Sequence, residues 1–395
     1  MNKNENYVRD NKKVDFVGLV FIAFVMIMMA RQVSLIFLGL NSIASMLFAL
    51  SFVVFFGAFF LHFVFEGKIK MINIYVTAII LIMVLLLGSK LSAYLMSILP
   101  FLMSLLFLSM IFMDNAFVCQ MEKVFKVYVI VSSISFILGM FIGRSYVDGE
   151  LVYYTQNPNQ SAALLLCYFA NVYVYRFKKG EKSRNLKLFY DLLMLGLAYA
   201  AIKTESRTVI ISMVIMFAFL FLSKLSRKTM KIIVITFLVL AFIFPIIMTG
   251  LIELVGPDFK VFGEGIETGR EVVWRNALEL ISANIFGVHI GQDVPVHDLA
   301  YYGEGLKCHN VFLEISWKYS LVVSLMCLVL FYLTVQYVFK KASDGAIRLI
   351  APIFCAMFWH MAYEATLFVG AFDYSFLFVA PILMLLVNGT QKKSN

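Results

Sequence analysis

The stretch KIIVITFLVLAFIFPIIMTG, residues 231–250, carries one charge, at its first position, followed by nineteen uncharged residues. At 1.5 Å per residue a helix of this length reaches about 30 Å, the thickness of a bilayer's hydrocarbon core. The next apolar run begins only near residue 310, so residues 251–308 form a 58-residue segment outside any span. A connection this long is usually functional or disordered. These two readings, a membrane span and a large loop beside it, set the frame for the rest of the chain.

Working outward, the same criterion predicts spans over 14–30, 43–65, 71–88, 91–112, 124–142, 159–176, 187–202, 207–223, 231–250, 310–339, 346–363 and 374–388. The fold class is therefore an all-α integral membrane protein of about twelve transmembrane helices, with an extracytoplasmic loop between helices nine and ten. Residues 33–40 are too short to cross and are read as re-entrant or as an extension of the second span. Composition agrees: 62% of the chain is apolar or aromatic and 14% charged, against roughly 25% charged in soluble domains. A soluble enzyme is excluded. The net charge of +9 sits in short loops and not on a basic polar helix, which excludes nucleic acid as a partner.

With the N-terminus in the cytoplasm, 23 of the 33 Lys and Arg fall on the inner side, so both termini are expected there. The basic segment MNKNENYVRDNKK resembles a signal n-region but lacks a following cleavage site, and is read as leading into an uncleaved first span. No 20–50-residue repeat is visible, so residues 1–395 are taken as a single polytopic domain. Within 251–308, Thr268-Gly269-Arg270-Glu271 has capping-box spacing, and Val273, Ala277, Leu280 and Ile281 recur at helical intervals. A short amphipathic helix near 268–283 is expected. Of the five cysteines, only Cys308 falls outside, which leaves no exported disulfide framework, and the Cys308-His309 pair lacks partners at zinc spacing. No metal site and no cofactor are expected.

Ten cations oppose the topology bias: Arg31, Lys90, Arg144, Lys203, Arg207, Lys260, Arg270, Arg275, Lys307 and Lys318. Each even-numbered span starts at the outer face, so its N-terminal dipole end and unpaired N–H groups point outward. Asn157-Pro158-Asn159-Gln160 opens the sixth span, Ser206-Arg207-Thr208 the eighth, and His309-Asn310 the tenth; Asp373 precedes the twelfth. Arg207, Arg270 and His309 are thus placed to gather around one outward anionic group. A diphosphate suits them, because Arg binds phosphate oxygens bidentately and keeps its charge near lipid. His309 is the candidate general base. Plainer roles compete: Arg207 as a headgroup anchor, Arg270 and Arg275 as the wet face of the loop helix, His289 and His297 as loop surface. Trp274 and Trp317 also suit interface anchors. His360 and Glu364, four residues apart, suit a buried pair, although ionisable groups at that depth default to function.

The succession Asn157-Pro158-Asn159, Ser206-Arg207-Thr208, Gly269-Arg270 with Trp274, Ile285-Phe286-Gly287, and His309-Asn310 with Phe312-Leu313-Glu314 resembles the O-antigen ligase and O-antigen polymerase family. The resemblance covers about residues 150–320 and the twelve-span layout. It implies a metal-independent glycosyltransferase that draws glycan from an undecaprenyl diphosphate carrier at the outer face of a bacterial cytoplasmic membrane, with inversion at the anomeric carbon. By position it implies that Arg207 and Arg270 hold the diphosphate and that His309 and Arg270 are catalytic. Asn157, Asn159, Asn310, Glu314 and Trp274 would be accessory. Membrane lipid and the polysaccharide export and chain-length proteins would be further partners. The chain departs from the family's pattern at Trp317-Lys318-Tyr319-Ser320, where a glycine is common. An AT-rich composition favours a surface polysaccharide (O-antigen or capsule) polymerase; a ligase with another acceptor is the alternative. A flippase or facilitator is the competing class, but would be expected to carry its long loop centrally and inside. Transferases using lipid monophosphate sugars typically need an acidic residue in the first outer loop, and Arg31–Asn41 has none.

Overall fold

The computed structural model describes residues 16–38, 71–88, 91–112, 116–142, 145–147, 149–153, 155, 157–178, 183–222, 225–255, 260–261, 264–265, 270–295, 305–366 and 372–391, with seven isolated positions between 43 and 54. The described residues form thirteen α-helices: α1 (Phe16–Val33), α2 (Met71–Leu87), α3 (Leu91–Met110), α4 (Ala116–Gly139), α5 (Pro158–Phe177), α6 (Arg184–Lys203), α7 (Arg207–Phe221), α8 (Arg227–Val255), α9 (Arg270–Ala283), α10 (Val311–Tyr319), α11 (Leu321–Lys341), α12 (Asp344–Tyr363) and α13 (Phe372–Gln391). Among the described residues, sheet is limited to three two-residue antiparallel hairpins, pairing Tyr146–Val147 with Glu150–Leu151, Lys260–Val261 with Glu264–Gly265, and Val294–Pro295 with Gly305–Leu306. The chain is an all-α membrane protein. Among the described residues, four helices are long and apolar enough to cross a bilayer: Arg184–Lys203, Arg227–Leu254, Leu321–Lys341 and Asp344–Tyr363.

Burial separates these helices into two kinds. The apolar window of α12 is 83% buried, and α5 is buried continuously from Ser161 to Tyr175, as expected of helices surrounded by other helices. The window of α8 is only 22% buried, and Ile232, Val239, Leu240, Ile246 and Ile247 stand exposed along it. An apolar stripe of that length facing outward is stable only against lipid. Helix α12 packs on both α7 and α8, and α13 on α3 and α5.

Two boundaries differ from the sequence reading. Residues 34–38 continue α1 as a π-helical turn, Ser34–Leu38, so this stretch extends the first helix and not the second span. The expected tenth span, 310–339, is two helices, because Ser320 takes φ 108° and ends α10. That conformation is one glycine favours, and it falls where the resembled family carries a glycine. Ser320 then restarts the chain by accepting the Val323 N–H at 3.3 Å, as an N-cap does.

Candidate active site

The site begins with a proline. Pro245 lies inside α8 and has no N–H, so the carbonyl of Ala241, four residues earlier, loses its helical donor. The Asn310 side-chain amide donates to that carbonyl at 2.9 Å, and its second hydrogen reaches the Ala362 carbonyl at 3.0 Å. Ala362 belongs to the last turn of α12, whose carbonyls have no partner within the helix. The amide oxygen of Asn310 accepts the Leu313 N–H at 2.9 Å and caps α10. One fully buried asparagine therefore ties three helices together at a point where two of them have spare acceptors.

The residue after α12 is Glu364, whose side chain is 4% exposed. Arg270, the first residue of α9, donates from Nη2 to Glu364 Oε1 at 2.7 Å and from Nη1 to the Tyr363 carbonyl at 3.0 Å. The other carboxylate oxygen, Oε2, lies 3.3 Å from Nδ1 of His309. Burial alone would raise the pKa of Glu364; the His309 hydrogen bond and the charges of Arg270, His309 and His360 outweigh it and hold the carboxyl below its usual range. An ionised Glu364 sets Nδ1 of His309 as the donor and leaves Nε2 with its lone pair, the tautomer being assigned from this contact.

The backbone is arranged to present that imidazole. His309 has φ 51°, in the left-handed region that costs a non-glycine residue roughly 1 kcal/mol. The preceding residue is gripped at both its backbone groups: Cys308 N–H donates to Glu314 Oε2 at 2.8 Å, and Trp274 Nε1 donates to the Cys308 carbonyl at 2.5 Å. Glu314 is in turn paired with Lys318 at 2.7 Å. Behind them, Leu321 N–H reaches the Ile285 carbonyl at 3.1 Å and His289 N–H the Trp317 carbonyl at 3.2 Å, so Ile285-Phe286-Gly287 docks on the break at Ser320.

Arg270 and His309 are thus brought together on one carboxylate, whereas Trp274, Asn310 and Glu314 hold the segment that carries His309. Arg207 is elsewhere on the same side. Helix α7 ends at Phe221, shortly before Arg227, and Arg227 pairs with Asp344 at the start of α12; the N-terminus of α7 therefore lies at the Glu364 end. Its side chain is exposed there. Asn157 caps α5, its side chain accepting from the N–H groups of Asn159 at 2.9 Å and Gln160 at 3.2 Å. Neither Asn157 nor Asn159 joins the Glu364 cluster among the contacts of the described residues. Both ring nitrogens of buried His360 lack hydrogen-bond partners among the described residues, so the carboxylate of Glu364 serves Arg270 and His309 and the expected His360–Glu364 pair is not hydrogen-bonded. His289 stacks on Trp317 with centroids 3.9 Å apart, and Trp317 is 3% exposed; neither is a free surface group. Thr268, Gly269 and His297 lie outside the described residues. Glu364 is the functional candidate that the outward-cation argument passed over, although a carboxylate at a span end was its signal.

Residues 192–319 match the family model described as O-Antigen ligase. The matched segment runs from α6 to the end of α10 and includes Arg207, Arg270, Trp274 and His309; Glu364 lies beyond it. Comparison with curated proteins and with solved structures returns no match.

Proposed function

We propose that the chain polymerises surface polysaccharide by joining undecaprenyl-diphosphate-linked repeat units at the outer face of a bacterial cytoplasmic membrane. The observation that carries this reading is the convergence of Arg270 and His309 on buried Glu364, at the end of the molecule where α7 also begins. In the reaction the acceptor hydroxyl attacks the anomeric carbon, and the bond from that carbon to the carrier diphosphate breaks. His309 Nε2 takes the hydroxyl proton. Arg270, whose guanidinium keeps further N–H donors beyond the two already used, and Arg207 offset the charge that grows on the departing diphosphate. Fixed guanidinium groups supply what a divalent ion supplies elsewhere, so transfer is expected to be metal-independent. In this reading the chain has twelve spans with both termini inside, residues 251–308 face outward with α9 within them, and the whole is one membrane domain.

A second reading, transfer of the glycan to a different acceptor, is favoured by the ligase description of the matched family. The test is reconstitution of the purified protein in vesicles with undecaprenyl-diphosphate oligosaccharide in EDTA, with products separated by gel and weighed by mass spectrometry. Longer lipid-linked glycans support polymerisation. Glycan leaving the carrier only when another acceptor is added supports the ligase. Carrier crossing the bilayer with no new glycosidic bond contradicts both.

A further inference from the structure

At the opposite end of α12 lies a second site, mostly apolar inside and lined by cations, that the transfer reaction does not use. A cavity of about 640 Å³ opens between the start of α8 and the end of α11, lined by Arg227, Lys228, Lys231, Gln336, Tyr337 and Lys340 among others. Lys228 and Lys231 are three residues apart on α8, and Gln336 and Lys340 four apart on α11, so each helix turns one polar face into the same space. The Arg227 guanidinium is already committed. It donates to the carbonyls of Phe339 and Ala342 at the end of α11 and, at 2.9 Å, to Asp344. Asp344 is thereby occupied, and no acidic side chain pairs with Lys228, Lys231 or Lys340 among the described residues.

Position decides what such a cavity takes. Helix α12 has twenty residues between Asp344 and Tyr363, which puts the cavity about 30 Å from Glu364 along its axis, at the other bilayer interface. The same two helices carry exposed apolar side chains in adjoining turns, Ile232 next to Lys231 on α8 and Val329 and Leu333 before Gln336 on α11. Cations at the interface with an apolar stripe running away toward the bilayer centre match a phosphate headgroup with its acyl chains better than a free anion. We infer that the α8–α11 cavity binds the phosphate of an anionic phospholipid of the inner leaflet, its acyl chains lying along Ile232, Val329 and Leu333. This inference does not depend on the transfer chemistry.

The test is native mass spectrometry of the full chain in detergent, titrated with phosphatidylglycerol or phosphatidylcholine. Wild type should retain phosphatidylglycerol preferentially; K340Q should weaken retention about fivefold, and the K228Q/K231Q/K340Q variant more, with phosphatidylcholine binding unchanged. Equal phosphatidylglycerol retention by wild type and variants would overturn the inference, as would release of the lipid by millimolar inorganic phosphate at constant ionic strength, which would mark a soluble-anion site. Should the triple variant not fold by circular dichroism, K340Q and the wild-type competition decide the matter.

Discussion

Each end of α12 carries an arginine–carboxylate pair, and the two pairs have opposite characters. At the first residue, Arg227 meets Asp344 at 2.9 Å with side chains 37% and 77% exposed; beyond the last, Arg270 meets Glu364 at 2.7 Å with 24% and 4% exposed. The chemistry of the partners is the same. What differs is solvent and the third group. Asp344 faces water, where such a pair contributes little, and Arg227 spends its remaining donors on the closing carbonyls of α11. Glu364 is shut away from water, where losing a partner is expensive, and its second oxygen is given to an imidazole. An ion pair signals chemistry when it is buried and leaves a titratable group oriented beside it; otherwise it fastens helices.

The largest effect should come from breaking the buried pair. Glu364→Ala leaves Arg270 without its carboxylate and His309 without its orienting acceptor, and should cost about 3 kcal/mol of stability as well as transfer, read by thermal unfolding in detergent and by the glycan assay. Replacing only the base, His309→Ala should lower the transfer rate at least about hundredfold, and because it strips the second oxygen of buried Glu364 of its partner it should also cost about 1 kcal/mol of stability, less than Glu364→Ala. Asn310→Ala removes both bridging donors and the cap at once, stranding the carbonyls of Ala241 and Ala362; a loss of about 2 kcal/mol is expected from the same unfolding measurement. Ser320 gives a finer comparison: Ser320→Ala keeps φ at 108° and loses the cap, costing about 1 kcal/mol, whereas Ser320→Gly relieves the backbone and should be close to neutral. At the other end, Asp344→Asn should change stability by less than about 1 kcal/mol.

Acid separates the two ends as well. The folded-state pKa of Glu364 is depressed below the ordinary value of 4.5, so its contribution is fully present above that value and is lost as pH falls through the lower folded one. Stability of the wild type should therefore rise with pH through the acid range up to about 4.5, and Glu364→Gln should flatten that slope. Unfolding midpoints between pH 3 and 6 check it; an unchanged slope in Glu364→Gln would assign the effect to other carboxylates.

Much of this was legible in the residues, and what was not has physical causes. The 231–250 run and its successors announce helices because lipid demands long apolar segments, and that demand is written locally. Arg207 and Arg270 stood out as cations on the side where topology disfavours them, and His309 as the histidine that opens an outward-starting span. Glu364 stood out only as a partner for His360; its link to Arg270 and His309 is not written in the sequence, since it depends on distances between residues 270, 309 and 364. The role of Asn310 depends on Pro245, sixty-five positions earlier, which frees a carbonyl that only the packing of α8 against α10 and α12 brings within reach. The break at Ser320 escaped the hydropathy pattern because α10 and α11 run on as one mostly apolar stretch, its only charges before Lys340 being Glu314 and Lys318; the break itself is a backbone angle.

The central claim is that transfer takes place at the Glu364 end of α12. It is tested most directly by reconstituting wild type, His309→Ala, Glu364→Gln and Asp344→Asn side by side with undecaprenyl-diphosphate oligosaccharide. Elongated lipid-linked glycan from wild type and Asp344→Asn, and little from His309→Ala or Glu364→Gln, is the predicted result. Elongation by His309→Ala at the wild-type rate would contradict it.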